Sequence, residues 1–204
     1  MKKAWIFFLI VSINSNSQTT VKSFFELSSP EKCWVIFHPF KANKAFKISK
    51  ETLRITDSVI KVKVLDTDIN GGLADAFKHS FWMAGLSRQI GDKAALKLGK
   101  AHEKGNYRTF KKNNKEDGFV PDKPSSDMDL YNNQIGAQLS IKNSNASKNE
   151  LITIVINEIK TGKMKILKKD SLGNFLTCEG KIIPIDSLKG KWENNKCLVF
   201  SNSE

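Results

Sequence analysis

Between residues 29 and 160 the apolar residues recur mostly at helical spacing, broken by capping and turn signals that divide the stretch into helices. Ser29-Pro30-Glu31 is a helix start, with a hydroxyl before a Pro at the first helical position. That helix carries Cys33, Trp34 and Phe37, and Pro39 interrupts it and opens the next. The second helix takes in Ala42, Ala45, Phe46, Ile48, Leu53, Ile55 and Val59, and its end blurs in the Thr-rich residues 52–58. Asn70-Gly71-Gly72 is a break, followed by the clearest helix, Leu73 to Ile90, with Ala74, Phe77, Phe81, Ala84 and Leu86 on its apolar side. Gly91 ends it. Asp92 caps a helix whose Ala94, Ala95, Leu98 and Ala101 face the core, and Gly105 is expected to stop it.

Residues 106–124, rich in Lys and Asn with two Pro, read as a long loop of the kind that forms lids or binding elements. Ser126 opens a helix to about Ile141, and the capping box Ser147 to Glu150 opens another through Ile159, with Gly162 as its C-cap. From Met164 the pattern changes to short apolar runs (MKIL, FLTC, IIPI, CLVF) between turns, a small antiparallel β element. The expected fold is mainly α: a bundle of about six helices over residues 18–162, with a small β appendix over 163–204 packed on it.

The first residues stand apart. Lys2 and Lys3 precede the ten-residue run Ala4 to Ile13, and Ser15 and Ser17 place small side chains at −3 and −1 for a cut before Gln18. Residues 1–17 therefore read as a cleavable signal peptide, since the run is about half the ~20 apolar residues a spanning helix needs. The protein is expected in the periplasm or the medium, with no transmembrane segment in the mature chain. An oxidising destination suits a bridge between Cys178 and Cys197, while Cys33, beside Trp34 in an apolar stretch, is expected as a buried free thiol. With no C-x-x-C pair, thiol redox chemistry and a cysteine-built zinc site are disfavoured.

Without residues 1–17 the chain carries 31 Lys+Arg against 21 Asp+Glu, a net +10. This balance favours an anionic substrate or surface, though many exported proteins are basic for solubility alone. The stretch Lys100 to Lys115 carries six cations and one acid. No aromatic-interleaved basic patch for stacking single strands accompanies it, so nucleic acid is not the expected partner.

Three stretches concentrate reactive side chains. Asp75 and His79 are i,i+4 and share a helix face, where an acid can orient an imidazole or share a metal with it. His102 and Glu103 lie together near the end of another helix. In the third stretch, Asp129, Asn133 and Gly136 form an i, i+4, i+7 line with a gap where another helix or a ligand can approach closely, and Asn132 lies beside it. Singly, each has a plain structural explanation, such as a surface or core hydrogen bond for Asp75 and His79. Together, on helices able to face one another, they resemble the way bundle proteins build metal sites.

These stretches carry a resemblance. Asn70-Gly-Gly-Leu-Ala-Asp75-Ala-Phe-Lys-His79-Ser-Phe-Trp82, then Ala101-His102-Glu103, then Met128-Asp129-Leu-Tyr-Asn132-Asn133-Gln-Ile-Gly136, resemble an uncharacterised bacterial domain family with D-A-F-R-H-A-Y-W-N-A, A-H-E and M-D-x-x-N-N-x-x-G motifs. The resemblance covers roughly residues 30–160 and implies exported or toxin-like relatives without supplying a reaction. Lys78 stands where the family has Arg, and Met83 where it has Asn.

The expected activity is hydrolysis of phosphoester or lipid ester bonds. In a metal-assisted version His79, His102 and Asp129 hold a divalent ion such as zinc. In a metal-free version His79 is the general base oriented by Asp75, with Asn132 or Asn133 as oxyanion donor. Glu103 completes the candidate set. The alternative is a non-catalytic envelope or partner-binding protein, in which Asp75, His79, Asp129 and Asn133 form a buried network that fixes helix register.

Overall fold

The computed structural model describes residues 24–112 and 119–203; the proposed signal peptide and part of the expected 106–124 loop lie outside them. The chain folds into helices α1 (Ser29–Phe37), α2 (Pro39–Lys61), α3 (Leu73–Ile90), α4 (Asp92–Lys111), α5 (Lys123–Lys142) and α6 (Lys148–Lys160). A C-terminal segment follows, with strands β1 (Lys165–Leu167) and β2 (Leu198–Phe200) and the one-turn helix α7 (Ile185–Leu188) between them. The mainly α fold with a small antiparallel β element is the one the apolar periodicity predicts.

Helix α3 is the centre of the molecule and packs against α2, α4, α5, α6 and β1. It serves two cores at once. Ala76, Phe77, Phe81 and Ala84 join Met128, Leu139, Val155 and Ile159 in one, and Met83, Leu86 and Ile90 join Trp34, Ala95, Leu98 and Ala137 in the other. A helix buried on nearly every side needs small or apolar residues all round, which is why α3 has no clean polar face.

Two helix lengths differ from expectation for the same reason. Helix α2 runs unbroken through its Thr-rich stretch because Thr52 and Thr56, four apart, are buried together. Tertiary packing there outweighs the weak helix preference of β-branched residues. Helix α4 does not stop at Gly105 but continues to Lys111, shortening the expected loop. A Cβ on Gly105 would lie 2.4 Å from Ser28 Oγ, so the glycine marks a close crossing rather than a stop. Helix α5 starts earlier than its apolar pattern implies, because Asp122 Oδ1 accepts from Ser125 N at 3.0 Å and caps it three residues ahead of Ser126.

Cys33 is exposed, not buried. Trp34 fills the inward position of α1, its Nε1 donating to Ala94 O at 3.0 Å, and the next-door residue is turned about 100° away from that contact.

In the appendix, β1 and β2 pair with Lys165 opposite Phe200 and Leu167 opposite Leu198, the MKIL and CLVF runs. The FLTC and IIPI runs make only isolated bridges, Lys169 with Phe175 and Leu176 with Ile182. Cys178 and Cys197 are bonded across this segment, with Cα atoms 4.9 Å apart. The segment grips the bundle at two places. Lys196 Nζ pairs at 2.6 Å with the buried Asp122 carboxylate that caps α5, and Leu167 N donates to Gly71 O at 2.7 Å just before α3. Replacing both cysteines by serine should cost about 3 kcal/mol, the loop-closure value for a bridge of this span. Chemical denaturation with an unchanged midpoint would refute this.

Candidate functional site

Asp75 and His79 project from α3 and Asp129 from α5, and the three buried side chains offer ligand atoms that all lie within 4.8 Å of one another. His79 Nε2 is 3.6 Å from Asp75 Oδ1 and 3.4 Å from Asp129 Oδ1. The helices meet this closely because Gly136 of α5 sits on the Ser80 carbonyl of α3, with no room for a side chain. The gap in the Asp129–Asn133–Gly136 line is filled by a helix.

Each acid has a distinct support. Asp75 Oδ2 accepts from Gly71 N at 2.8 Å, and its Oδ1 lies 3.0 Å from Lys78 Nζ. Gly71 takes a positive φ of 93° and is held by β1, so the appendix helps aim this carboxylate. Burial pushes the Asp75 carboxyl above its ordinary value, against the pull of Lys78 and the Gly71 amide. Burial likewise holds His79 well below the usual imidazole range, helped by the charges of Lys78 and His102 and opposed by Asn133. His79 is therefore a neutral imidazole at neutral pH, the form that binds a metal or takes a proton.

Asn133 is buried beside this ring, and neither end of its carboxamide makes a hydrogen bond of good geometry among the described residues. Asn132 is occupied elsewhere. Its Nδ2 donates to Lys165 O and its Oδ1 accepts from Lys165 N, both at 2.9 Å, which ties α5 to β1. Glu103 is buried between α4 and α5, where Ser126 Oγ and Asn106 Nδ2 donate to it.

His102 faces the group from α4 without joining its ligand set. Its ring centroid is 6.3 Å from that of His79, and its Nδ1 lies 3.0 Å from Glu31 Oε1. Burial alone would raise the Glu31 carboxyl, but hydrogen bonding and charge from His102, with bonds from Ser28, bring it down to about 2. Trp82 sets its indole edge-on to both imidazoles, at 6.5 and 5.7 Å, and is itself fixed by Ser49 Oγ at 2.8 Å. Glu31 and Trp82 had no chemical signal in the sequence. Glu31 read only as part of the helix start; in the structure it completes a capping box with Ser28, whose N donates to it at 2.8 Å.

The group lies in the wall of a cavity of about 570 Å³, within the usual size for small-molecule sites. Asp75, Lys78, His79, His102, Asn106, Ser126 and Asp129 make a polar region, and most of the remaining lining is apolar, from α1, α2, residues 24–27 and residues 119–121.

The family profile described as a domain of unknown function, DUF6973, matches residues 32–163, which takes in α2 to α6 and all three motif stretches. No curated protein and no solved structure matches the chain.

Proposed function

We propose that this chain, which belongs to DUF6973, a family of domains of unknown function, is an exported hydrolase of phosphoester or lipid ester bonds. Its centre is a divalent cation held by Asp75, His79 and Asp129. One observation carries the reading: the spacing of the three ligand atoms. Ligands bound at about 2.0–2.2 Å in a tetrahedron stand roughly 3.3–3.6 Å from each other. The two His79 separations, 3.4 and 3.6 Å, match that edge and exceed a formed hydrogen bond. The cost of burying two neighbouring carboxylates points the same way, because a cation between them offsets it.

Held by these three side chains, a divalent ion would supply a water whose pKa it lowers toward 7. In the proposed reaction hydroxide adds to the ester carbon or phosphorus, and the alkoxide leaves with a proton. His102, held by Glu31 on the facing helix, is placed to donate that proton. Lys78, which lines the cavity, is the donor for charge that develops on the ester oxygen.

A second reading rests on the Asp75–Lys78 pair, which neutralises that carboxylate without a metal. The remaining His79–Asp129 pair is then either a metal-free general base or part of a register-fixing network in a partner-binding protein. Calorimetric titration with Zn²⁺ separates the readings. One site is expected per wild-type chain and none in Asp129→Asn. At a hundred times Kd the ion should stabilise the fold by about 2.7 kcal/mol, or roughly 5–10 °C in midpoint. Folded wild type that takes up neither Zn²⁺ nor Mn²⁺ removes the metal version.

A further inference from the structure

The cavity has a chemical direction. Its titratable residues gather mostly around the Asp75–His79–Asp129 group, and the rest of its wall is mainly apolar, with Trp34, Val35, Ala42, Phe46 and Leu98 outweighing the polar Asn43, Ser49 and Thr52 of α2. At its edge stand large apolar side chains that the protein leaves in water: Leu53 is 56 % exposed, Phe119 48 % and Ile69 41 %. These three come from separate chain segments, yet all line one cavity that also holds the candidate centre. Cations accompany them, with Lys50 and Lys78 in the same lining.

A mainly apolar wall that leads to a cluster of titratable groups suits an amphiphile, and exposed apolar groups around a cavity mark a surface that a ligand covers. We infer that the occupant is a single long acyl chain, laid along the α1–α2 wall with its ester at the Asp75–His79–Asp129 group. This rests on the hydrolase reading and narrows it: the substrate is a long-chain carboxylic ester of the lipid class, with an anionic headgroup near the lysines. Cleavage needs no reactant besides water. The hydroxyl goes to the acyl carbon, the acyl–oxygen bond breaks, and the alcohol leaves with the proton.

The test reads binding separately from turnover. Saturated fatty acids of 4 to 14 carbons, product analogues kept below their micelle concentrations, are titrated into the metal-loaded protein and followed by calorimetry. Burial of each methylene is worth about 0.8 kcal/mol, so Kd should tighten about fourfold per carbon until the cavity is full. Ala42→Trp, on the half-buried wall of α2, should bring the plateau several carbons earlier. Leu53→Asp, at an exposed position that folding tolerates, should weaken the long chains about tenfold and leave the shortest unchanged. A Kd that does not vary with chain length overturns the inference, as does a plateau that neither variant moves. Alkyl phosphates of equal length form a second arm, and binding at least tenfold tighter than the carboxylates would overturn the carboxylic-ester assignment. The two readings fail differently. Chain-length dependence without hydrolysis of any ester removes the hydrolase and keeps the acyl site, whereas hydrolysis of short esters with no chain-length dependence does the reverse.

Discussion

Gly136→Ala is expected to destabilise the protein by about 3 kcal/mol, a fall of roughly 6–12 °C in thermal midpoint for a chain of this size. A Cβ at this position would stand 2.1 Å from the Ser80 carbonyl oxygen and within 2.9 Å of its C and Cα. All three atoms are backbone, so no rotamer change relieves the contact, and α3 and α5 must move apart. These two helices carry Asp75 with His79 and Asp129 with Asn133, so the candidate site opens by the same shift. Gly99→Ala is the control. The Cβ there meets the terminal methyl of Met83 at 2.8 Å, which a flexible thioether side chain can withdraw, so a smaller loss is expected. Midpoints measured by calorimetry that rank the two substitutions the other way would show that the close crossing is not what holds these helices in register.

The second large effect is on chemistry. His79→Ala and Asp129→Asn should each lower ester hydrolysis by about 10³-fold or more while moving the thermal midpoint by only a few degrees. If both instead unfold the protein, the side chains serve helix register and the hydrolase reading fails. The pH dependence is a separate check. Because burial depresses His79 below its unfolded value of 6.5, its neutral form survives acidification past that point. The His79 ring, followed by NMR, should therefore stay neutral as pH falls through 6.5 and take up its proton only well below it. The same shift adds stability above pH 6.5 that is lost as pH falls through the folded value. Asp75 has the opposite sign. Its raised carboxyl favours the fold below 3.8, and that contribution is lost as pH rises through its folded value. A His79 ring that instead titrates near 6.5 would mean that burial does not hold it neutral.

Much of the helical layout was legible because its signals are local. Gly71-Gly72 and Gly91 bracket α3, whose observed limits are the expected Leu73 and Ile90, and the Ser147–Glu150 box opens α6 where it should. Backbone hydrogen bonding and the 3.6-residue period decide these features within one or two turns of chain. The same period put Asp75 with His79, and Asp129 with Asn133, each on one helix face. A bridge between Cys178 and Cys197 was also readable, from three cysteines of which two share a turn-rich segment.

What the sequence could not hold was anything that depends on two distant segments touching. Gly105 looks like a stop in one dimension and is a crossing point in three, because Ser28, far away in the chain, occupies the space beside it. Cys33 looked core-bound because its neighbours are apolar, but only one side of α1 meets α4, and Trp34 takes that side. His102 looked like a metal ligand. Across the α1–α4 contact its Nδ1 meets Glu31, 71 residues earlier, and the side chain that clusters with His79 and Asp129 is Asp75. Asn132 and Asn133 are adjacent and chemically identical, yet the 100° turn between them gives one to β1 and the other to the imidazole. By itself the sequence determined which side chains share a face, through the helical repeat. Which faces meet was decided by tertiary packing, above all by the absent side chain of Gly136, which lets two helices close to backbone contact and brings their acids to one histidine.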